Sequence, residues 1–506
     1  MTAPHGAPRV VLDRRTRVLR RGGVVRVLGG DPVTLVTPSP AVAPLLDGEA
    51  VSTETPAGAA LGRALTDRGM AHPDVSGPDA RVLEAVAVVI PVHDDAAGVA
   101  AVVDALGSEL ARGLRVVVVD DGSTVPLAAP SLPTQPPPTQ PPPTQPPPAQ
   151  SPPAGAIRVV RHEHSRGPAA ARNTGTAAAL SGGAEVVVYL DADVIPRPGW
   201  LGPLLGHLDD PRVAAVAPRI VAADPGRLWV RGYETARSAL DMGPEPARVR
   251  PRTRVAYVPS AALAVRPDRL PPVPDGAGQG PFDEQLRVAE DVDLCWRADR
   301  AGAVIRYEPA ALVAHRHRTT VAPLLGRRAF YGTGAAPLAH RHGAAVAPAV
   351  AAPWSLAVAL GFWSGTPGGL LVAAGATARA WHRTRALTGH DRAAAELVIR
   401  GSVASIRQLP EALLRPYWPL TAVALIATAR SHSPLVRGLR RRVAVAAVAE
   451  GLWHWWSARE PGRWPVDEPL GHVVLHRLDD VAYGVGVWRS AWAARSVGAL
   501  RPELTR

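Results

Sequence analysis

The chain lacks several things whose absence narrows its class. Its 506 residues include one cysteine, Cys295, so no internal disulfide can form. Met1 to Gly30 has no apolar core of the kind a secretory leader carries, and the expectation is a protein of the reducing cytosol. Lysine is missing altogether, all 56 basic residues being arginine, and Phe and Met occur three times each. Abundant Ala, Gly and Pro match a GC-rich coding bias and assign no function. No basic stripe interleaved with aromatics is present, so nucleic acid is not an expected partner.

The net charge of +12 is unevenly spread. Residues 316–506 hold 24 Arg against 10 acids, leaving 32 Arg against 34 acids in residues 1–315. Ten of the 13 tryptophans also lie in the tail, beside an uncharged run from Gly343 to Ala378 and a shorter one, Pro416–Ala429. Arginine and tryptophan flanking apolar runs suit a membrane surface. Spanning needs about 20 apolar residues, roughly the length of Ala344–Trp363, so residues 319–506 are expected to be helical and membrane-associated, spanning or lying in the plane; a buried helical pair is the alternative.

Residues 1–84 resemble a small winged-helix-like module. A hairpin is expected around Gly22-Gly23, and Thr55-Pro56 opens a helix with Gly69 beyond its end. Ten Arg against nine acids leave this module near neutral, which favours a structural or peptide-docking role over DNA. Residues 85–318 alternate apolar runs with helical patterns, the mark of an α/β domain: a mostly parallel sheet with helices on both faces. Strands are expected at Val86–Val92, Arg115–Asp121, Ile157–His162, Glu185–Asp191, Val213–Ile220, Val255–Val265 and Val304–Tyr307. A Thr/Gln/Pro repeat interrupts this domain, and residues 130–153 are expected to form a disordered, exposed insertion.

Three acidic clusters end apolar runs: Asp120-Asp121-Gly122-Ser123, Asp191-Ala192-Asp193 and Glu290-Asp291-Val292-Asp293. In open α/β sheets ligands bind outside the carboxyl ends of strands. Carboxylates there suit gripping a nucleoside, holding Mg²⁺ or Mn²⁺ on a diphosphate, and deprotonating an acceptor hydroxyl. Between the first two clusters, Gly167-Pro168 opens a helix that presents Arg172 on its first turns, either toward the nucleotide or toward Asp120 or Asp121. At the third cluster, Glu290 or Asp293 caps a helix and Asp291 carries the chemistry. The order of the three clusters points to sugar transfer.

Together with Val89-Ile90-Pro91-Val92 and Ala171-Arg172-Asn173-Thr174-Gly175, these clusters resemble glycosyltransferase family 2, inverting enzymes of GT-A fold. The resemblance implies nucleotide-sugar contacts at Pro91, Asp120, Asp121, Arg172 and Asp191, a Mg²⁺ or Mn²⁺ ion at Asp193, and Asp291 as base with Glu290 beside it. With His315-Arg316-His317-Arg318 and Arg327-Arg328-Ala329-Phe330-Tyr331-Gly332, the chain is similar to the mycofactocin glycosyltransferases. That likeness implies glucose from UDP-glucose placed on a peptide-derived redox cofactor as a short β-1,4-glucan, near the inner face of the membrane. The Gln-x-x-Arg-Trp motif of processive synthases is absent. Transfer to a polyprenyl phosphate or cell-wall glycan is the competing expectation.

Overall fold

The computed structural model describes residues 9–46, 48–75, 83–128, 157–223, 229–274, 279–317, 319–458 and 468–505. The proline-rich insertion lies outside them.

Residues 9–73 form two three-stranded antiparallel sheets and one helix, Pro56–Thr66. The expected hairpin is present: Arg17–Arg21 pairs with Val24–Gly29, and both turn residues, Gly22 and Gly23, have positive φ, as such tight turns require. Thr55 caps the helix by accepting the Gly58 N–H at 3.1 Å, with Pro56 in its first turn. Val27, Val51, Leu65 and Met70 form a fully buried core. The winged-helix expectation needs correction, because the chain between residues 9 and 52 goes into strands and a single α-helix is seen among the described residues of this unit.

Among the described residues the main sheet has nine strands. They are β1 (Val86–Val92), β2 (Arg115–Asp121), β3 (Ile157–His162), β4 (Val186–Leu190), β5 (Val194–Pro196), β6 (Val213–Ala222), β7 (Ala247–Arg248), β8 (Ala262–Val265) and β9 (Val304–His315). Their spatial order is β5-β9-β6-β8-β4-β1-β2-β3, with β7 on β9. Pairs β1/β2, β2/β3, β4/β1 and β6/β9 are parallel, whereas β4/β8, β6/β8, β5/β9 and β7/β9 are antiparallel. The sheet is therefore mixed rather than mostly parallel, because β8 runs against both of its neighbours. Only Ala262–Val265 of the expected strand Val255–Val265 pairs; Pro259, which has no N–H to donate, interrupts the run before it.

Alternate residues of the central strands enter opposite cores. Val88, Ile90, Val118 and Val188 face one side with Val102 and Leu204, while Val89, Val119, Val187 and Tyr189 face the other. Burial on both faces explains the unbroken valine runs. On the second face lie α1 (Pro168–Ser181) and α2 (Glu290–Arg300), through Ala169, Ala171, Leu294 and Cys295. This shared face brings the Arg172 and Glu290 segments together.

The tail consists of helices α3 (Val321–Gly332), α4 (Ala335–His342), α5 (Pro353–Ser364), α6 (Pro367–Thr388), α7 (Asp391–Leu414), α8 (Trp418–Ala427), α9 (Pro434–Ser457) and α10 (Pro469–Ala493). The uncharged run breaks at Gly365, and Thr366 caps α6 by accepting the Gly369 N–H. Ala344–Trp363 is thus no continuous helix, since α5 starts at Pro353 and has 12 residues. Among the described residues no helix is long and apolar enough to cross a membrane, which removes the spanning expectation.

Helix α1 rests on β1 and β2 at Gly175, where an added Cβ would lie 2.2 Å from Val89 Cγ1 and 3.1 Å from Val119 Cγ2. Both valines are fully buried and stiff at χ1, so the helix would have to move. Gly175→Ala should therefore cost about 1–3 kcal/mol despite alanine's better helix propensity. Denaturant unfolding checks this, and a midpoint at or above wild type would contradict it.

Candidate active site

The entry into α1 is pinned from β2. Asp121 accepts from the Arg166 N–H at 2.9 Å, the Gly167 N–H at 2.8 Å and the Ser165 hydroxyl at 2.8 Å, and lies 2.7 Å from His162 Nδ1. Burial alone would raise Asp121, but these partners hold it below the ordinary carboxylate value. Asp120 is likewise engaged by the Ser123 and Leu127 N–H groups and by Arg161; despite its burial, these donors push it down to about 2. Both carboxylates thus brace the loops beside the sheet edge, and they lie with Pro91 at the carboxyl ends of β1 and β2.

Arg172 sits one turn into α1 and is almost wholly buried. Its Nη2 is 2.6 Å from Asp191 Oδ1 and its Nη1 is 2.9 Å from Glu290 Oε1. The pairing with Asp120 or Asp121 left open by the sequence is not the one adopted. Glu290 is not a cap either: the residue ahead of α2 is Ala289, with φ 67°, and the Glu290 carboxylate accepts from Arg172 and, at 3.4 Å, from the Ser260 hydroxyl. Asp293 bonds Arg297 at 3.0 Å and His342 at 2.8 Å.

Asp193 lies 3.1 Å from His315 Nε2. The sheet causes this meeting, because Val194 of β5 pairs in register with His315, the last residue of β9. Burial would raise Asp193, yet the His315 contact and the nearby Arg316 hold it below its ordinary value. Asp191 goes the other way, raised by burial despite Arg172 and with Asp193 adding repulsion. His315 is the cavity residue that sequence reasoning left without a role; its position two residues from a second histidine at a strand end was the available signal.

Asp291 is pushed up to about 7, first by burial and then by the neighbouring Glu290 charge, against the Val292 N–H it accepts at 2.8 Å. A carboxyl poised near neutrality can take or hold a proton at working pH. Arg172, Asp191, Asp193, Glu290, Asp291 and His315 all line one cavity of about 670 Å³. Its far wall comes from the tail through Arg327, Tyr331, Arg415 and Tyr483, so the site is closed by helices that follow the sheet domain. Pro91, Asp120 and Asp121 do not line this cavity.

The glycosyl transferase family 2 model matches residues 146–267, which include Arg172, Asp191 and Asp193. Pre-mycofactocin glycosyltransferase of Mycobacterium tuberculosis is 41% identical over 507 residues, covering 98% of this chain and 97% of that protein. The chain belongs to the pre-mycofactocin glycosyltransferase family. It is a glycosyltransferase with a GT-A-like mixed sheet and a helical C-terminal region. Mouse polypeptide N-acetylgalactosaminyltransferase 6 is 28% identical over 180 residues, 32% of this chain and 28% of that protein. A mannosyltransferase of Pyrobaculum calidifontis, solved with GDP-Man and Mn²⁺, covers 74% of this chain and 88% of its own at 18% identity, with a TM-score of 0.34.

The raised Asp291 has a consequence for stability. Its folded value near 7 lies above the ordinary 3.8, so the native state keeps a proton that the unfolded chain loses. Stability is lost as pH rises from about 4 to 7, and the penalty is complete above 7. Asp291→Asn should accordingly melt higher than wild type at pH 8, by about 1–2 °C for each kcal/mol relieved in a chain of this length, with the gain vanishing below pH 4. Melting curves at the two pH values check this, and equal midpoints at pH 8 would contradict it.

Proposed function

We propose that this glycosyltransferase inverts the anomeric centre of UDP-glucose, placing glucose on a small peptide-derived cofactor as the start of a short β-1,4-glucan. What carries the reading is the gathering of Asp291, poised near neutrality, with Arg172, Asp191 and Asp193 around one cavity in a chain of this family. The nucleoside lies beyond the ends of β1 and β2, near Pro91; Asp120 and Asp121, both buried and hydrogen-bonded, act by fixing the loops beside it, and Arg172 faces the nucleotide from α1. A divalent cation would be held by Asp193, whose carboxyl stays below its ordinary value, with His315 Nε2 3.1 Å from it; oxygen donors suit Mg²⁺ and Mn²⁺, and the imidazole favours Mn²⁺. Such an ion, when bound, neutralises charge on the departing diphosphate.

Asp291 takes the proton of the acceptor hydroxyl while that hydroxyl's oxygen bonds to C1 of the sugar. The bond from C1 to the diphosphate oxygen breaks, and its electron pair leaves with UDP. Glu290 keeps Arg172 in place and discourages premature ionisation of Asp291. The aromatic and arginine wall from the tail receives the acceptor.

In an assay of UDP release and product formation with the peptide-derived acceptor, activity should rise with pH to a plateau above about 7, as Asp291 deprotonates. Asp291→Asn should lose 10²–10⁴-fold in transfer and lose that pH limb while UDP-glucose binding persists. Asp193→Ala or EDTA should silence transfer, with Mn²⁺ or Mg²⁺ restoring the chelated wild type. Normal transfer by Asp291→Asn would overturn the base assignment, and transfer to polyprenyl phosphate alone would replace the acceptor.

A surface feature supports a peripheral lipid contact. Leu420, Val423 and Ile426 on α8 and Leu435 and Leu439 on α9 are exposed, beside exposed Arg430, Arg437 and Arg441. Arg440 ties these segments together by donating to Thr428 and Ala429 carbonyls, and residues 412–449 contain no acid. Apolar side chains framed by unopposed arginines complement an anionic lipid surface. The protein should float with vesicles containing phosphatidylserine and not with neutral ones; Ile426→Asp should weaken this at least ~10-fold, and indifference to lipid charge would refute the contact.

A further inference from the structure

Far along the chain from the catalytic carboxylates, α9 and α10 present a second set of ligating groups to each other. Glu450 and His454 are spaced by four on α9, and His472 and His476 by four on α10, so each pair lies on one face of its helix. One ligand atom each from Glu450, His454 and His476 lies within 4.8 Å of the others. His476 Nε2 is 3.6 Å from Glu450 Oε1, about the edge of a tetrahedron around an ion with bonds near 2.0–2.1 Å. The His454 and His476 rings are 4.5 Å apart between centroids.

An independent observation marks this cluster as more than helix packing. His476 is fully buried and neither ring nitrogen has a hydrogen-bond partner, and the same holds for both nitrogens of His472, which is 2% exposed. Leaving such groups unsatisfied costs about 1–3 kcal/mol each, and a cation would relieve that cost at each nitrogen it takes.

We propose that Glu450, His454 and His476 bind a zinc-class divalent ion that clasps α9 to α10. Two imidazoles and a carboxylate are a borderline ligand set of the kind Zn²⁺ takes. His454 and His472 line an adjoining cavity of about 170 Å³, which leaves room for a fourth ligand, His472 or water. Guanidinium groups are the opposing charges: Arg237 Nη1 lies 3.1 Å from His454 Nδ1, and Arg477 sits 3.1 Å from Glu450 Oε2 and 2.9 Å from Asp480 Oδ2. Asp480 partly offsets them, and Arg237 is the group that ion entry must push aside.

The test uses the full chain carrying Asp193→Ala, so that an ion beside the sheet is not counted. Chelated protein is titrated with Zn²⁺ against a chromophoric competitor, and Co²⁺ spectra report the ligand geometry. About one Zn²⁺ per chain should bind, and Co²⁺ should give the intense visible bands of a tetrahedral nitrogen-containing site. His454→Gln and Glu450→Gln should each weaken binding at least ~10-fold, and Arg237→Gln should tighten it. Glu450→Gln, nearly isosteric, keeps the test decisive should His454→Gln fail to fold. Absence of zinc binding in the Asp193→Ala chain, or affinity unchanged by all three substitutions, would overturn the proposal.

Discussion

The buried Arg172 guanidinium is the interaction on which the catalytic region depends. One cation joins Asp191 at the end of β4 to Glu290 at the start of α2, residues about a hundred positions apart in sequence. Without it two carboxylates would share one cavity wall uncompensated, and Glu290, the more buried of the two, would lose its cation. The arrangement also sets the neighbours apart electrically. Asp193 stays ionised beside His315, whereas Asp291, next to Glu290 and beyond direct reach of the guanidinium, is driven toward neutrality. Two acidic groups in one cavity thus acquire opposite proton preferences from their surroundings alone.

Much of this was legible in the sequence where local signals and tertiary demands agree. β1, β2 and β3 coincide with the apolar runs because a doubly covered strand needs apolar residues on both faces. The opening of α1 at Gly167-Pro168 and of α2 at Glu290 were readable for similar reasons. Strand direction was not, since a short apolar segment such as β8 reads the same in either orientation. The partners of Arg172 and Glu290 depend on which helices share a face of the sheet, and no local pattern encodes that. His315 illustrates the same limit, as only the β5/β9 register brings it to Asp193.

The tail resisted reading for a different reason. Length and apolarity suggested a bilayer segment, yet Gly365, Thr366 and Pro367 divide the run into two helices whose inner sides pack against other helices. Alanine-rich stretches carry little directional information, being compatible with lipid, with a bundle or with an exposed face. The exposed leucines and valines of α8 and α9 show that part of the apolar character is spent outside the bundle.

A line of buried charges runs from the tail to the sheet. Arg415 of α7 contacts Asp479 and Asp480 of α10; Asp479 meets Arg328 of α3, which meets Glu234; Glu234 approaches His317, His317 lies against His315, and His315 reaches Asp193. Asp193 and Arg415 at the two ends keep some contact with water and the groups between them are buried, so cutting the chain after β9 would take Arg328 and His317 from Glu234 and remove the aromatic and arginine wall of the cavity. The sheet domain is consequently not an autonomous cassette. Grafting another acceptor-recognition tail onto it would have to rebuild this line of alternating charge as well as the cavity, which ties the evolution of acceptor choice in this architecture to the integrity of its catalytic centre.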